Sequence, residues 1–230
     1  MGNMRSIIAL ALIFSAFSLP VAAQTSNAAT YRLDGLVSLM SNFVESGLKQ
    51  TDNDPALQGS FWFNFGPQFR MGLWGGNVAY DGQDSHFLLK LNAELKVDFS
   101  PETNMVLGYS DAKYYKSESR DGNILGLKLN LYGYGIRYEK YSNFFGTKDS
   151  ATSYAFPKTW PVFQTWKWEN LVGYLMLDTE GLSNYFFWET YLGTRAGSID
   201  YQIGASYNSV SSQFNGAAEP ALILKASVAF

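Results

Sequence analysis

His86-Phe87-Leu88-Leu89-Lys90-Leu91-Asn92-Ala93-Glu94-Leu95-Lys96-Val97-Asp98-Phe99 alternates for fourteen residues. The odd positions, Phe87 through Phe99, are all apolar, and the even positions are polar apart from Leu88. Side chains of a strand point alternately to its two faces, so this stretch is a strand with one greasy and one charged side. At ~3.4 Å per residue it would reach roughly 45 Å, long for a soluble strand. A strand tilted at ~45° needs such a length to cross hydrocarbon and project beyond it.

The pattern recurs along the chain. Leu57, Gly59, Phe61, Phe63 and Phe65 alternate with Gln58, Ser60, Trp62 and Asn64. Phe69, Met71 and Leu73 alternate with Arg70, Gly72 and Trp74, and Leu125 through Leu131 with Ile124, Gly126, Lys128 and Asn130. Ile199 through Tyr207 repeats it near the end. A soluble sandwich alternates in the same way. The apolar faces here carry large residues throughout, which would overfill a small interior but need no packing against lipid. The last ten residues, Ala221–Phe230, place Leu222, Leu224, Ala226, Val228 and Phe230 on one face. This terminal strand resembles the closing strand of bacterial outer-membrane barrels, which implies delivery by the barrel-assembly machinery through Phe230 and a surrounding of outer-membrane lipid and lipopolysaccharide.

Composition removes several alternatives. The chain has 230 residues, of which 47% are hydrophobic, 17% aromatic and 16% charged, with no cysteine. The aromatic content excludes disorder, and the missing thiols exclude a disulfide scaffold, a thiolate metal site and a cysteine nucleophile. A net charge of −3 offers no basic face to nucleic acid. Residues 1–23 have a single charge, Arg5, then the apolar run Ile7–Phe17 and the ending Val21-Ala22-Ala23. That arrangement reads as a secretory signal cleaved after Ala23, leaving a barrel over residues 24–230. A membrane-anchor helix is the alternative, but the run is short of the ~20 residues a span needs.

Strands are expected near 35–45, 57–65, 68–79, 86–99, 105–116, 123–131, 134–141, 163–177, 184–195, 199–210 and 221–230. Eleven is odd, whereas single-chain bacterial barrels have an even number. Counting turns inward from both ends conflicts between Tyr141 and Phe163. A further strand over 151–156, turning at 158–161, makes an all-β, antiparallel transmembrane barrel of twelve strands; ten is the alternative.

Val44-Glu45-Ser46-Gly47-Leu48-Lys49-Gln50-Thr51-Asp52-Asn53-Asp54-Pro55-Ala56-Leu57-Gln58-Gly59 resembles the first loop of the TorF-type porins, a proteobacterial outer-membrane family. Phe69–Tyr80, with Gly72, Trp74-Gly75 and Asn77-Val78, resembles the strand after it. The chain departs at Ser46 and Lys49, where the family usually has Arg and Ser, and at Gly76, where Ser is usual. The resemblance implies a barrel in the Gram-negative outer membrane.

On the face opposite the apolar stripes lie Arg70, Lys90, Glu94, Lys96, Lys128, Arg137, Glu139, Glu189 and Arg195. Lys167 and Glu169 join them if a bulge absorbs the outward placement of Asn170. A charged interior is costly unless hydrated or paired, so these residues are expected to line either a pore for small hydrophilic solutes or a closed, internally bridged structural barrel. Gly72, Gly108, Gly126, Gly135, Gly193 and Gly204 share that face and would leave open volume. Asp52, Asn53 and Asp54 fall in an extracellular loop, either as an Asx turn fixed by Pro55 or as oxygen donors for a divalent cation. No resident metal or cofactor is expected.

An enzyme barrel would need a base, and His86 beside Ser85 and Asp84 is the sole candidate. Neighbours on a strand face opposite ways, so no catalytic pairing is expected. Tyr141, Phe144, Phe145, Trp166, Trp168, Phe186 and Trp188 are expected at the outer strand ends. Phe65, Phe69, Phe99, Tyr132 and Phe230 are expected at the periplasmic ends, as two aromatic girdles. Tyr114, Tyr115, Tyr154 and Trp160 could instead stack sugars at the mouth.

Overall fold

The computed structural model describes residues 31–80 and 86–230; the expected signal and Ser85 lie outside them. Twelve long strands form the wall: β1 (Tyr31–Met40), β4 (Ala56–Phe65), β5 (Phe69–Asn77), β6 (Phe87–Ser100), β7 (Thr103–Tyr114), β8 (Gly122–Leu131), β9 (Tyr134–Tyr141), β10 (Ala151–Pro161), β11 (Trp166–Leu177), β12 (Tyr185–Ala196), β13 (Ile199–Asn208) and β14 (Ala221–Ala229). Two short strands, β2 (Val44–Glu45) and β3 (Leu48–Lys49), form a separate hairpin. Each wall strand pairs antiparallel with its chain neighbours, and β1 pairs with both β4 and β14, closing the barrel. The count is twelve, with β10 supplying the strand that turn parity requires.

One end has short turns and the other has long loops, including 41–55, 142–150 and 209–220. β1 begins and β14 finishes at the short-turn end, as an even count dictates. The outward face carries exposed Phe61, Phe63, Leu91, Leu95, Leu125, Ile203 and Leu224. Two closing bonds of the wall bracket the final residue: Gly35 N donates to Phe230 O at 2.7 Å, and Phe230 N donates to Gly35 O at 3.0 Å.

The bounds of β1 and β10 differ most from the expected ones. β1 runs 31–40 rather than 35–45, because Ser41 ends the ladder by substituting its side chain. Ser41 N donates to Leu224 O at 2.8 Å, while Leu224 N donates to Ser41 Oγ at 2.9 Å. The next residues then leave the wall and turn inward. β10 continues through Lys158 to Pro161, and the turn falls at 162–165 rather than 158–161. Pro157 has no N–H, and pairing with β9 skips it between Ala155 and Lys158. Gly135 makes room there, since a Cβ on it would stand 2.5 Å from Pro157 Cγ. The ladders of β11 run unbroken through Asn170, so no bulge is needed for Lys167 and Glu169 to face inward.

Candidate lumen site

Cross-strand register sorts the inner face. Arg70 is paired with Glu94, Glu94 with Gly108, Gly108 with Gly126, and Gly126 with Glu139. Partners across a ladder share a face, so these five form one inward row. One step toward the short-turn end, Lys96, Val106, Lys128 and Arg137 form the next. The same bookkeeping places Lys90, Lys167, Glu169, Glu189 and Arg195 inward, so all eleven charged positions singled out in the sequence occupy the inner face.

Most of these charges are matched within the wall. Glu94 accepts from Arg70 Nε at 2.8 Å and from Lys128 Nζ at 3.2 Å, and the Arg70 guanidinium also lies 4.2 Å from the Trp62 ring centroid. Arg137 stands 3.4 Å from Glu139, whose Oε2 also accepts from Tyr141 OH at 2.9 Å. Lys96 pairs with Asp98 at 2.8 Å, Arg195 with Asp200 at 2.7 Å, and Arg32 with Asp34 at 2.8 Å. Glu169 accepts from Gln202 Nε2 at 3.1 Å. Pairing of this kind is what lets charges stay in a confined interior.

The first loop is not an external flap. Its β2–β3 hairpin projects into the barrel, turning at Ser46-Gly47 with φ of 52° and 73°, the two-residue geometry that favours glycine. Gly47 N donates to Glu189 Oε1 at 3.0 Å, Tyr185 OH donates to Ser46 O at 3.0 Å, and Asn208 Nδ2 donates to Gly47 O at 3.3 Å. On the opposite side Lys90 Nζ meets Glu45 Oε1 at 2.6 Å. Leu48 is fully buried in a cluster with Leu175, Tyr185 and Phe187, while Phe43 and Val44 pack with Leu88, Val78 and Ile223. The hairpin therefore spans the lumen and grips both walls.

The loop end is further filled. Tyr80 OH donates to Gln50 Oε1 at 2.7 Å, and burial pushes its phenol well above the usual range, which keeps that donor proton in place. The Arg120 guanidinium lies 3.7 Å from the Tyr80 ring centroid. Asp52 and Asn53 both have positive φ and Asp54 N donates to Thr51 O at 2.7 Å, so 51–54 is a turn. Asn53 Oδ1 is taken by Lys49 Nζ at 3.1 Å and Asn42 Nδ2 at 3.2 Å. Among the described residues no cluster of three His, Cys, Asp or Glu side chains is placed to hold a metal ion.

Several expectations are corrected. Most inward glycines do not leave space; they admit neighbouring side chains. A Cβ on Gly72 would stand 2.6 Å from Trp62, one on Gly193 2.9 Å from Gln202, and one on Gly204 would strike Tyr191. Gly108 and Gly126 differ, with nothing nearer than 3.8 Å. Tyr141 and Phe144 are buried with the hairpin rather than set in an outer girdle. Trp166 and Trp168 lie at the short-turn end, where Trp168 packs against Trp160 at 5.3 Å. Tyr154 packs on Tyr138 on the outward face, so the four supposed sugar-stacking rings share no mouth.

Among solved structures that share this fold are two porins. The NanC porin superposes with a TM-score of 0.61 at 10% identity, covering 86% of this chain and 99% of that one. The KdgM porin gives 0.55 at 10% identity over 87% and 98%. A KdgM porin in complex with disordered oligogalacturonate gives 0.55 at 9% identity over 87% and 98%. The likeness is one of fold: a closed antiparallel barrel of twelve strands. No family model matches the chain, and no curated protein matches it.

The sequence reading missed the hairpin and its anchors, Glu45, Gly47, Tyr185 and Asn208. The available signal was Val44, Leu48 and the Ser46-Gly47 turn: apolar residues flanking a hairpin turn inside a nominally external loop. Lys225 and Asp200, inward on β14 and β13, were also passed over.

Proposed function

We propose that the protein is an outer-membrane channel for passive diffusion of small hydrophilic solutes, constricted by its own first loop. One observation carries this reading: at the paired inward glycines Gly108 and Gly126 a Cβ would meet its neighbours only at ordinary contact distance, so no ring fills the charged wall there as Trp62 does at Gly72 and Tyr191 at Gly204. Leu48 of the hairpin packs in an apolar cluster with β10–β12, and the solute path we infer runs along the wall of β6–β9, between Glu94, Lys128, Arg137 and Glu139. Paired charges of both signs give a wet path without a strong preference for either ion. The finer assignment to the TorF-type porins rests on residues 43–80. Export by the 1–23 signal, recognition of Phe230 by the assembly machinery, contact with lipopolysaccharide and absence of catalysis belong to the same proposal.

A non-conducting structural or adhesive barrel is the second reading, favoured by the hairpin's grip on both walls. Liposome swelling separates the two. Vesicles containing refolded protein should swell in isotonic glycine or arabinose and not in a large oligosaccharide. Swelling no faster than empty vesicles, from protein whose electrophoretic mobility shows a folded barrel, would support the second reading.

A further inference from the structure

Every inward-facing cation described above has a carboxylate partner except two. Among the described residues, no carboxylate stands within ion-pair distance of Lys167 or Lys225. The two come from different strands, β11 and β14, yet they line the same cavity of about 370 Å³ in the short-turn half of the lumen. Like charges sharing one confined volume create a positive potential that a neighbouring carboxylate, a bound anion or water relieves. Arg195 holds Asp200 at 2.9 and 2.7 Å, and Glu169, whose partner at 3.1 Å is the neutral Gln202 amide, keeps its charge, so Lys167, Lys225 and Arg195 against Glu169 and Asp200 leave the cavity one positive charge in excess. Neutral donors complete the lining. Ser227 accepts from Ser38 at 3.0 Å, which leaves its own hydroxyl proton to donate.

We propose that this cavity is a binding site for the carboxylate of a small organic acid, held between the Lys167 and Lys225 ammonium groups with Ser227 as an additional donor. A carboxylate's two oxygens can take separate donors, whereas a halide offers one centre. At about 30 Å³ for each water-sized group, the cavity has room for a solute of about a dozen heavy atoms. The site lies beyond the hairpin toward the short-turn end, so binding there does not require that the barrel conduct.

The test reads binding directly. In refolded protein with ¹³C-dimethylated lysines, the Lys167 and Lys225 resonances are assigned by their loss in Lys167→Arg and Lys225→Arg. Sodium acetate is then titrated against sodium chloride at equal ionic strength. Saturable movement of these two resonances with acetate, absent with chloride, is expected. Lys225→Met should weaken the acetate response at Lys167 at least tenfold; should that variant not fold, Lys167→Gln read at Lys225 serves instead. Shifts that are linear and shared by all lysines, or that chloride reproduces, would overturn the site. Because no conductance is involved, a silent channel that still binds acetate would count against the proposed function alone.

Discussion

Gly47 N donates to Glu189 Oε1 at 3.0 Å, fastening the tip of the inward hairpin to the far wall of the barrel. Glu189 is buried, so losing this donor would leave its carboxyl group without a replacement from water, and the contact holds the hairpin tip against β12. Gly47 is required there on two counts. Its φ is +73°, and a Cβ would stand 2.5 Å from Phe187 Cβ.

Gly47→Ala should therefore lift the hairpin. The left-handed backbone alone costs an alanine about 1–2 kcal/mol, and the collision with Phe187 adds to it. A single-channel conductance at least twofold above that of the parent is expected, with faster tryptic cleavage at Lys49. Unchanged conductance and unchanged cleavage would show that the hairpin does not define the constriction.

Glu94 holds two cations, Arg70 and Lys128. Glu94→Gln leaves both without their carboxylate and makes the wall beside Gly108 net positive. Reversal potentials in a salt gradient should move toward anion selectivity. Lys128→Gln, which removes one of the two cations, should move them the other way.

The pair Gly108 and Gly126 marks the proposed solute path, and a Cβ fits at either position, with no neighbour nearer than 3.8 Å. Gly126→Phe should consequently fold normally yet cut conductance several-fold. Gly72→Phe is the contrast: Trp62 already occupies that space, so folding yield falls instead. Heat-modifiable electrophoresis measures yield and bilayer recording measures flow, which keeps the two effects apart.

The period of the strands was legible in the sequence because lipid outside and water inside impose opposite chemistries on alternate residues. Arg70, Glu94 and Arg137 could be placed inward from that alternation alone. The hairpin was not legible, because Val44 and Leu48 continue the greasy pattern of β1 and only three-dimensional closure shows that they pack in the lumen. The glycines misled for a related reason. A missing side chain reads as space, but Gly72 and Gly204 exist to admit Trp62 and Tyr191. Parity found β10, while Pro157 and Pro161 disguised its end.

Closure of the barrel rests on the β1–β14 seam, which has only five paired residues, from Leu36–Ala229 to Met40–Lys225. The Phe230 ring covers Gly35, leaving no room for a side chain, and meets Phe61 edge-on at 5.9 Å. Gly35→Leu should lower the urea midpoint of the refolded barrel and the fraction that resists denaturation by detergent. Phe230→Ala should reduce that fraction less, since both backbone bonds to Gly35 survive. Equal stability of Gly35→Leu and the parent would remove the seam as the weak point.

Planar-bilayer recording of the refolded chain is the most direct test of a loop-constricted channel. Small, stable single-channel steps are predicted, enlarged by Gly47→Ala and shifted toward cations by Arg137→Glu. Silence from both the parent and Gly47→Ala, in protein shown to be folded and inserted, would contradict it.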